Sequence, residues 1–161
     1  MPSSEPYSVD KLIAEARRLA ADYRRATGKA LPLSAEIAVN DAVRLLGLAP
    51  PVDPVAGCDA VRNTPGGVIR VQIKGRVVFD QSRASPRMGQ LKLDQGWDEI
   101  VLVLMDDDYE PFEIYRAARE GVERALERKP HNKRGAMTVP QFRNIGLRVW
   151  TREWGLAADA G

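Results

Sequence analysis

Three prolines fall between Ala49 and Pro54, and the hydrophobic period of the chain changes there. Proline fixes φ and removes an amide donor, so this stretch is an extended connection that separates two kinds of local structure. Before it the period is helical. Ser8 is placed to cap a helix that runs to about Thr27 and stops at Gly28, with Leu12, Ile13, Ala16, Leu19, Ala20 and Tyr23 as its apolar face. A second helix spans Ser34 to Gly47 and turns Ile37, Ala38, Ala42, Leu45 and Leu46 inward, leaving Glu36 and Asn40 together on another face.

After the prolines the period becomes that of strands. Cys58–Arg62 reads as a short strand, Pro65-Gly66-Gly67 as a turn and Val68–Phe79 as a long strand. In the long strand Val68, Arg70, Gln72, Lys74 and Arg76 fall on one face, and Ile69, Val71 and Ile73 on the other. The first face is expected to carry polar function or solvent. Gln81–Gly89 reads as a polar, basic loop, Glu99–Met105 as a strand at a sheet centre, Asp106–Glu110 as an acidic turn and Phe112–Tyr115 as the returning strand. Ala117–Arg128 follows as a helix. Thr138, Pro140 and Gly146 then cap, open and stop a short helical turn before Leu147–Trp150. Helix, helix, strands, helix and a mixed end define an α/β sandwich around a mixed sheet. The 161 residues form one domain, with a helical pair at 8–47, a sheet with flanking helices at 55–150 and a tail at 151–161.

Composition removes several chemistries. One cysteine, Cys58, excludes an internal disulfide, and with a single histidine, His131, it leaves a zinc site of the Cys/His type short of ligands. A catalytic metal must then sit on oxygen, which points to Mg²⁺ or Mn²⁺. His131 lies in the polar run Pro130 to Arg134, a poor setting for the oriented base of a Ser-His-Asp arrangement. The apolar run Ile100–Met105 is far too short to span a bilayer, and Met1–Pro6 lacks the layout of a signal peptide, so a cytoplasmic protein without a membrane partner is expected.

Net charge is only +2, but it is unevenly distributed. Arg62–Lys92 holds seven basic residues and one acid, Leu93–Glu127 three basic and eleven acidic, and Arg128–Arg152 seven basic and none acidic. Two basic blocks around an acidic one suggest a side that attracts phosphate and a side that solvates. Long charged side chains coating an exposed surface explain the same counts equally well.

Asp59, Gln72 and Lys74 carry the candidate chemistry. Strand residues two apart point the same way at about 6.6–6.8 Å, so Gln72 and Lys74 look into one space. Pairing through the Pro65-Gly66-Gly67 turn lets Asp59 face it too. A carboxylate and an amide oxygen suit a hard cation, and a lysine suits the charge that develops on a phosphate under attack.

With Asp59 as the first acid and Gln72-Ile73-Lys74 as the second element, the chain resembles the PD-(D/E)XK nuclease superfamily over roughly residues 34–116. Gln72 stands where an acid is usual and resembles the Gln-X-Lys form of Mrr-type restriction enzymes. The wider chain also resembles a family of small bacterial domains of unknown function. The superfamily resemblance implies a restriction-endonuclease-like fold and a DNA endonuclease dependent on Mg²⁺ or Mn²⁺, with a role in restriction or defence. It implies Asp59 and Gln72 as metal ligands assisted by Glu36, and Lys74 acting on the attacking water. An enzyme that cuts both strands is expected to work as a homodimer.

Each residue has a structural alternative. Asp59 suits a turn after Gly57, Gln72 and Lys74 suit the solvent face of an edge strand, and Glu36 suits the first turn of a helix. The rival function is a nuclease-fold protein that binds nucleic acid or a protein partner without cutting. For DNA contacts the candidates are Lys133, Arg134 and Arg143 on phosphates, and Arg83 and Arg87 on bases. Asp106, Asp107 and Asp108 are expected to form a hairpin turn rather than a metal cluster. Trp97, Trp150 and Trp154 are expected to pack in the core or a lid rather than on bases.

Overall fold

The Ser8 hydroxyl accepts from the Lys11 amide and opens α1 (Val9–Thr27), which Gly28 closes in the left-handed conformation at φ 74°. Gly47, at φ 66°, closes α2 (Ser34–Leu46) in the same way. Only glycine adopts that conformation without penalty, which is why both helices stop where the sequence says they stop. The computed structural model describes residues 8–79, 87–128 and 136–160.

The inward face of α1 differs from the expected one. Arg17, Ala20 and Ala21 are buried, while Leu12, Leu19 and Tyr23 are exposed. The cause lies across the fold. Arg17 Nη2 donates to Asp41 Oδ1 at 2.7 Å and Nη1 donates to the Tyr109 carbonyl at 3.1 Å, with the Asp41 side chain wholly buried in α2. A buried carboxylate needs its counter-charge. The ion pair therefore sets the rotation of α1, and apolar periodicity alone does not.

Six strands form a mixed sheet in the order β1-β2-β4-β5-β7-β8, namely β1 (Ala60–Thr64), β2 (Gly67–Val77), β4 (Glu99–Met105), β5 (Pro111–Ala118), β7 (Leu147–Thr151) and β8 (Gly155–Leu156). β2 and β4 run parallel and the other neighbours antiparallel. Every residue of β4 is buried, as befits an apolar run covered on both sides. Helices α1 and α2 pack on one face around Ile37, Ala38, Ala42, Val71, Ile73 and Val103. The other face is covered by α3 (Arg119–Glu127), α4 (Val139–Ile145) and a two-stranded sheet of β3 (Arg87–Gln90) and β6 (Ala136–Thr138). The protein is thus an α/β sandwich with a central mixed sheet.

Three expectations are corrected. β5 continues to Ala118, because Ala117 and Ala118 still find ladder partners in Ile100 and Glu99, and α3 starts at Arg119 rather than Ala117. The basic loop expected at Gln81–Gly89 includes the start of β3, which pairs with the distant β6. The supposed tail contributes β8 and a short 3₁₀ turn, Ala158–Ala160, whose Ala160 is buried and accepts from Arg116.

Gly75 sets how closely α2 lies on the sheet. A Cβ there would stand 2.5 Å from Ala38 Cβ and 2.9 Å from the Ser34 carbonyl oxygen. The helix that carries Glu36 rests directly on bare backbone.

Candidate functional site

Asp59 immediately precedes β1 and keeps the hairpin register, its amide donating to the Val71 carbonyl at 2.8 Å. Its carboxylate then takes over from the backbone. Oδ2 accepts from the Ile73 amide at 2.8 Å, in the place where the next ladder bond of β2 would fall. This fixes an exposed carboxylate at the sheet edge, level with Gln72 and Lys74.

Alternation along β2 is as the sequence predicts. Ile73 pairs with Val101 of the core beneath α1 and α2, whereas Gln72 and Lys74 pair with Ile100 and Leu102 of the opposite core. The Gln72 face is not a solvent face, however. The second layer of β3, β6, α3 and α4 covers it, and Gln72 is 6 % exposed. Gln72 Nε2 donates to Gln95 Oε1 at 3.3 Å, while Gln72 Oε1 is buried without a hydrogen-bond partner among the described residues.

Lys74 is half-buried. Burial pushes its ammonium pKa down, and neighbouring Arg76 and Lys92 push the same way, while Asp59 pulls it up. Lys74 therefore lies within the field of the Asp59 carboxylate and of two further cations. The cluster attracts an anion such as a phosphate. Lys92 was not singled out in the sequence because it lies outside the motif spacing and arrives on the connection between β3 and β4.

Glu36 approaches from the other face. With Asn40 and Val39 of α2, Val9 and Ile13 of α1, and Asp59 and Ile73, it lines an open cleft of about 470 Å³. The four expected residues thus divide across the sheet edge. Gln72 and Lys74 project on one side, Glu36 on the other, and Asp59 sits between them.

The donors fit a hard divalent cation in kind. Two carboxylates and a free, buried amide carbonyl are oxygen ligands, and backbone carbonyls and water complete such shells. Among the described residues no three His, Cys, Asp or Glu side chains gather into a metal-binding group. Negative charge at the site is accordingly low for a metal centre, because Gln72 is neutral and Glu36 lies on the other side of the sheet.

The nucleic-acid candidates fare unevenly. Arg83, Lys133, Arg134 and His131 lie outside the described residues. Arg87 is exposed at the start of β3, where its carbonyl accepts from Arg76 Nε. Arg143 is engaged by Glu113 and lies 5.5 Å from the centre of the Tyr115 ring. Trp97 is fully buried under Arg119 and Trp150 packs partly buried against the core, but Trp154 is 77 % exposed at the β7–β8 turn. Asp106 makes the hairpin turn, its Oδ1 accepting from the amides of Asp108 and Glu110, and pairs with Arg152.

No family model and no curated protein matches the chain. Among the described residues no helix is long and apolar enough to cross a membrane.

Proposed function

We propose that the protein is a metal-dependent nuclease of the PD-(D/E)XK type that hydrolyses DNA phosphodiester bonds, with Mg²⁺ or Mn²⁺ as its cofactor. The observation that carries this reading is the clamped edge carboxylate. Asp59 is held by the Ile73 amide beside Lys74 and level with Gln72, whose buried carbonyl oxygen has no partner among the described residues. A buried carbonyl left unpaired costs about 1–3 kcal/mol, and a ligand that approaches it recovers that cost.

Asp59 and Gln72 would hold the cation, with Glu36 in the cleft that Asp59 also lines. A divalent cation bound there supplies a Lewis acid for the phosphate and lowers the pKa of water. Lys74 would stabilise the negative charge that builds on the phosphate oxygens and position the attacking water. Lys92 and Arg76 add to the field that draws the substrate in.

A second reading has one observation in its favour. The lack of a three-ligand acidic cluster among the described residues suits a nuclease-fold protein that binds nucleic acid or a protein partner without cutting.

Incubation of plasmid, linear and single-stranded DNA with the protein and Mg²⁺ or Mn²⁺ separates the two. Cleavage is expected with the wild-type protein and is abolished by Lys74→Ala, with fold and DNA affinity largely retained because the charge acts mainly in the transition state. Equal cleavage by the Lys74→Ala protein would refute the mechanism. DNA binding without cleavage under every condition would favour the second reading.

A further inference from the structure

Because Arg17 turns toward Asp41, the apolar residues of α1 are left on its outer side. Val9, Leu12, Leu19 and Tyr23 are 38–66 % exposed among the described residues, and Ala16 is half-buried between them. From Val9 to Tyr23 these positions step by three, four, three and four residues. That is the a/d repeat of a two-stranded coiled coil, a seam that a second helix covers. A helix that packs only on its own sheet carries its apolar residues inward, as α2 does with Ile37, Ala38 and Ala42. At about 1.5 Å per residue the outward stripe runs for about 21 Å, and a continuous apolar stripe on a charged surface marks an interaction site.

The charges beside the stripe say what covers it. On the flank turned away from Ile13 and Ala20, and so away from the body of the protein, helical spacing places Glu15 and Asp22 next to the stripe and Lys11, Arg18 and Arg25 behind them, all exposed. Two copies of α1 laid antiparallel about a two-fold axis at Ala16 bring this flank against its own copy. Each residue then faces the partner residue equally far beyond the axis, to within about one residue. Val9 meets the partner's Tyr23, Leu12 meets the partner's Leu19, and the small Ala16 meets its own copy where the helices come closest. Glu15 comes opposite the partner's Arg18, and Asp22 opposite the partner's Lys11. The Glu15 pair sets the orientation, because Asp22 already accepts from Arg25 at 3.1 Å. A parallel pair would instead bring Glu15 and Asp22 against the Ala20 and Thr27 flank, where no charge answers them.

We propose that the outer face of α1 is a homodimer seam, on which a second copy of this chain packs its own α1 antiparallel. The stripe is complementary to itself in shape and in charge, which is what an isologous two-fold interface requires. The helix is already formed and anchored through Arg17, so association does not have to order it. The buried ion pair that decides the rotation of α1 thereby also decides which of its faces is offered to the second copy.

Sedimentation equilibrium of the intact chain, without DNA or metal and over a wide range of concentration, tests the seam and is independent of the nuclease reading. The wild-type protein is expected to move from the mass of one chain toward that of two as concentration rises. Leu19→Glu, at an exposed position, is expected to weaken the dimer about 30-fold or more, because the two-fold axis counts every substitution twice. Glu15→Arg sets like charges opposite each other and is expected to weaken it about 3-fold or more, and adding Arg18→Glu to that variant is expected to restore the wild-type constant. Thermal melts at low concentration check that each protein is folded, and the charge exchange decides the matter if Leu19→Glu is not. A wild-type chain that stays monomeric throughout would overturn the proposal. A dimer that Leu19→Glu leaves intact would also overturn it by placing the contact elsewhere, and so would a dimer that the double exchange fails to restore, because the antiparallel pairing would then be wrong.

Discussion

Gly75→Ala adds one methyl group where α2 rests on β2. The new carbon would stand 2.5 Å from Ala38 Cβ and 2.9 Å from the Ser34 carbonyl oxygen. Carbon atoms in ordinary contact are about 3.5–4.0 Å apart, so Ala38 must retreat by about 1–1.5 Å. Neither neighbour is the far end of a flexible side chain. One is a Cβ fixed to a helix and the other is backbone, so α2 must move as a body. Overpacking of this kind costs about 1–3 kcal/mol, and the lower chain entropy of the unfolded alanine variant returns about 0.4–1 kcal/mol. The net expectation is a loss of about 0–2.6 kcal/mol, centred on about 1.3 kcal/mol. For a domain of 161 residues a loss of that central size is a fall in Tm of about 3–5 °C. Because Glu36 lies between Ser34 and Ala38 on the displaced helix, the cleft it shares with Asp59 should also change, and on the proposed cation-dependent reading Mn²⁺ affinity should then fall. Thermal melts followed by circular dichroism measure the first effect and Mn²⁺ titration the second. Gly66→Ala is the control, since its Cβ would meet only Thr64 Oγ1 at 3.9 Å, and its Tm should stay at or slightly above that of the wild type. A Gly75→Ala protein that melts no lower than the wild type would refute the reasoning, because α2 would then have room that the geometry denies it.

Asp59→Asn removes the carboxylate that, among the described residues, raises the Lys74 pKa, so this pKa should fall further below its ordinary value of 10.5. A pH titration of the Lys74 side-chain signals by NMR reads the change directly, and an unchanged or higher pKa would separate the two residues. Asp106 offers a pH test of stability. Burial alone raises its pKa, but hydrogen bonds from Arg152 and from the Glu110 and Asp108 amides outweigh burial and hold it below 3.8. The carboxylate therefore contributes stability that is present above 3.8 and lost as pH falls through the lower, folded value. Urea denaturation of the wild type and Asp106→Asn on both sides of this pH should show a stability gap that narrows in acid, and a gap independent of pH would rule out the paired carboxylate as its source.

What the sequence determined by itself is what depends on neighbours a few residues away. Ser8, Gly28 and Gly47 bound α1 and α2, and Thr138 and Gln141 form the reciprocal capping box of α4, because caps act on amides within one turn. The Pro65-Gly66-Gly67 turn sets the register of β1 on β2, and with it the placing of Asp59 at the level of Gln72. The alternation of Gln72, Ile73 and Lys74 between faces follows from the period of a strand. The tertiary structure decided what depends on partners far along the chain. The pairing of β3 with β6 joins residues separated by α3 and two strands, and the extension of β5 to Ala118 exists because β4 still offers ladder groups there. Arg17 turned α1 toward Asp41, against the apolar pattern of the helix itself. The same distinction runs through the candidate site. The types and spacing of Asp59, Gln72 and Lys74 are local facts, but the division of Glu36 from Gln72 across the sheet edge, the arrival of Lys92 and the contact of Gln95 with Gln72 are products of packing. A residue on a connecting turn carries no periodic signal of the side chain it will meet. Gly57, Gly75 and Gln95 make their close contacts only when two segments close to within a few ångströms of each other.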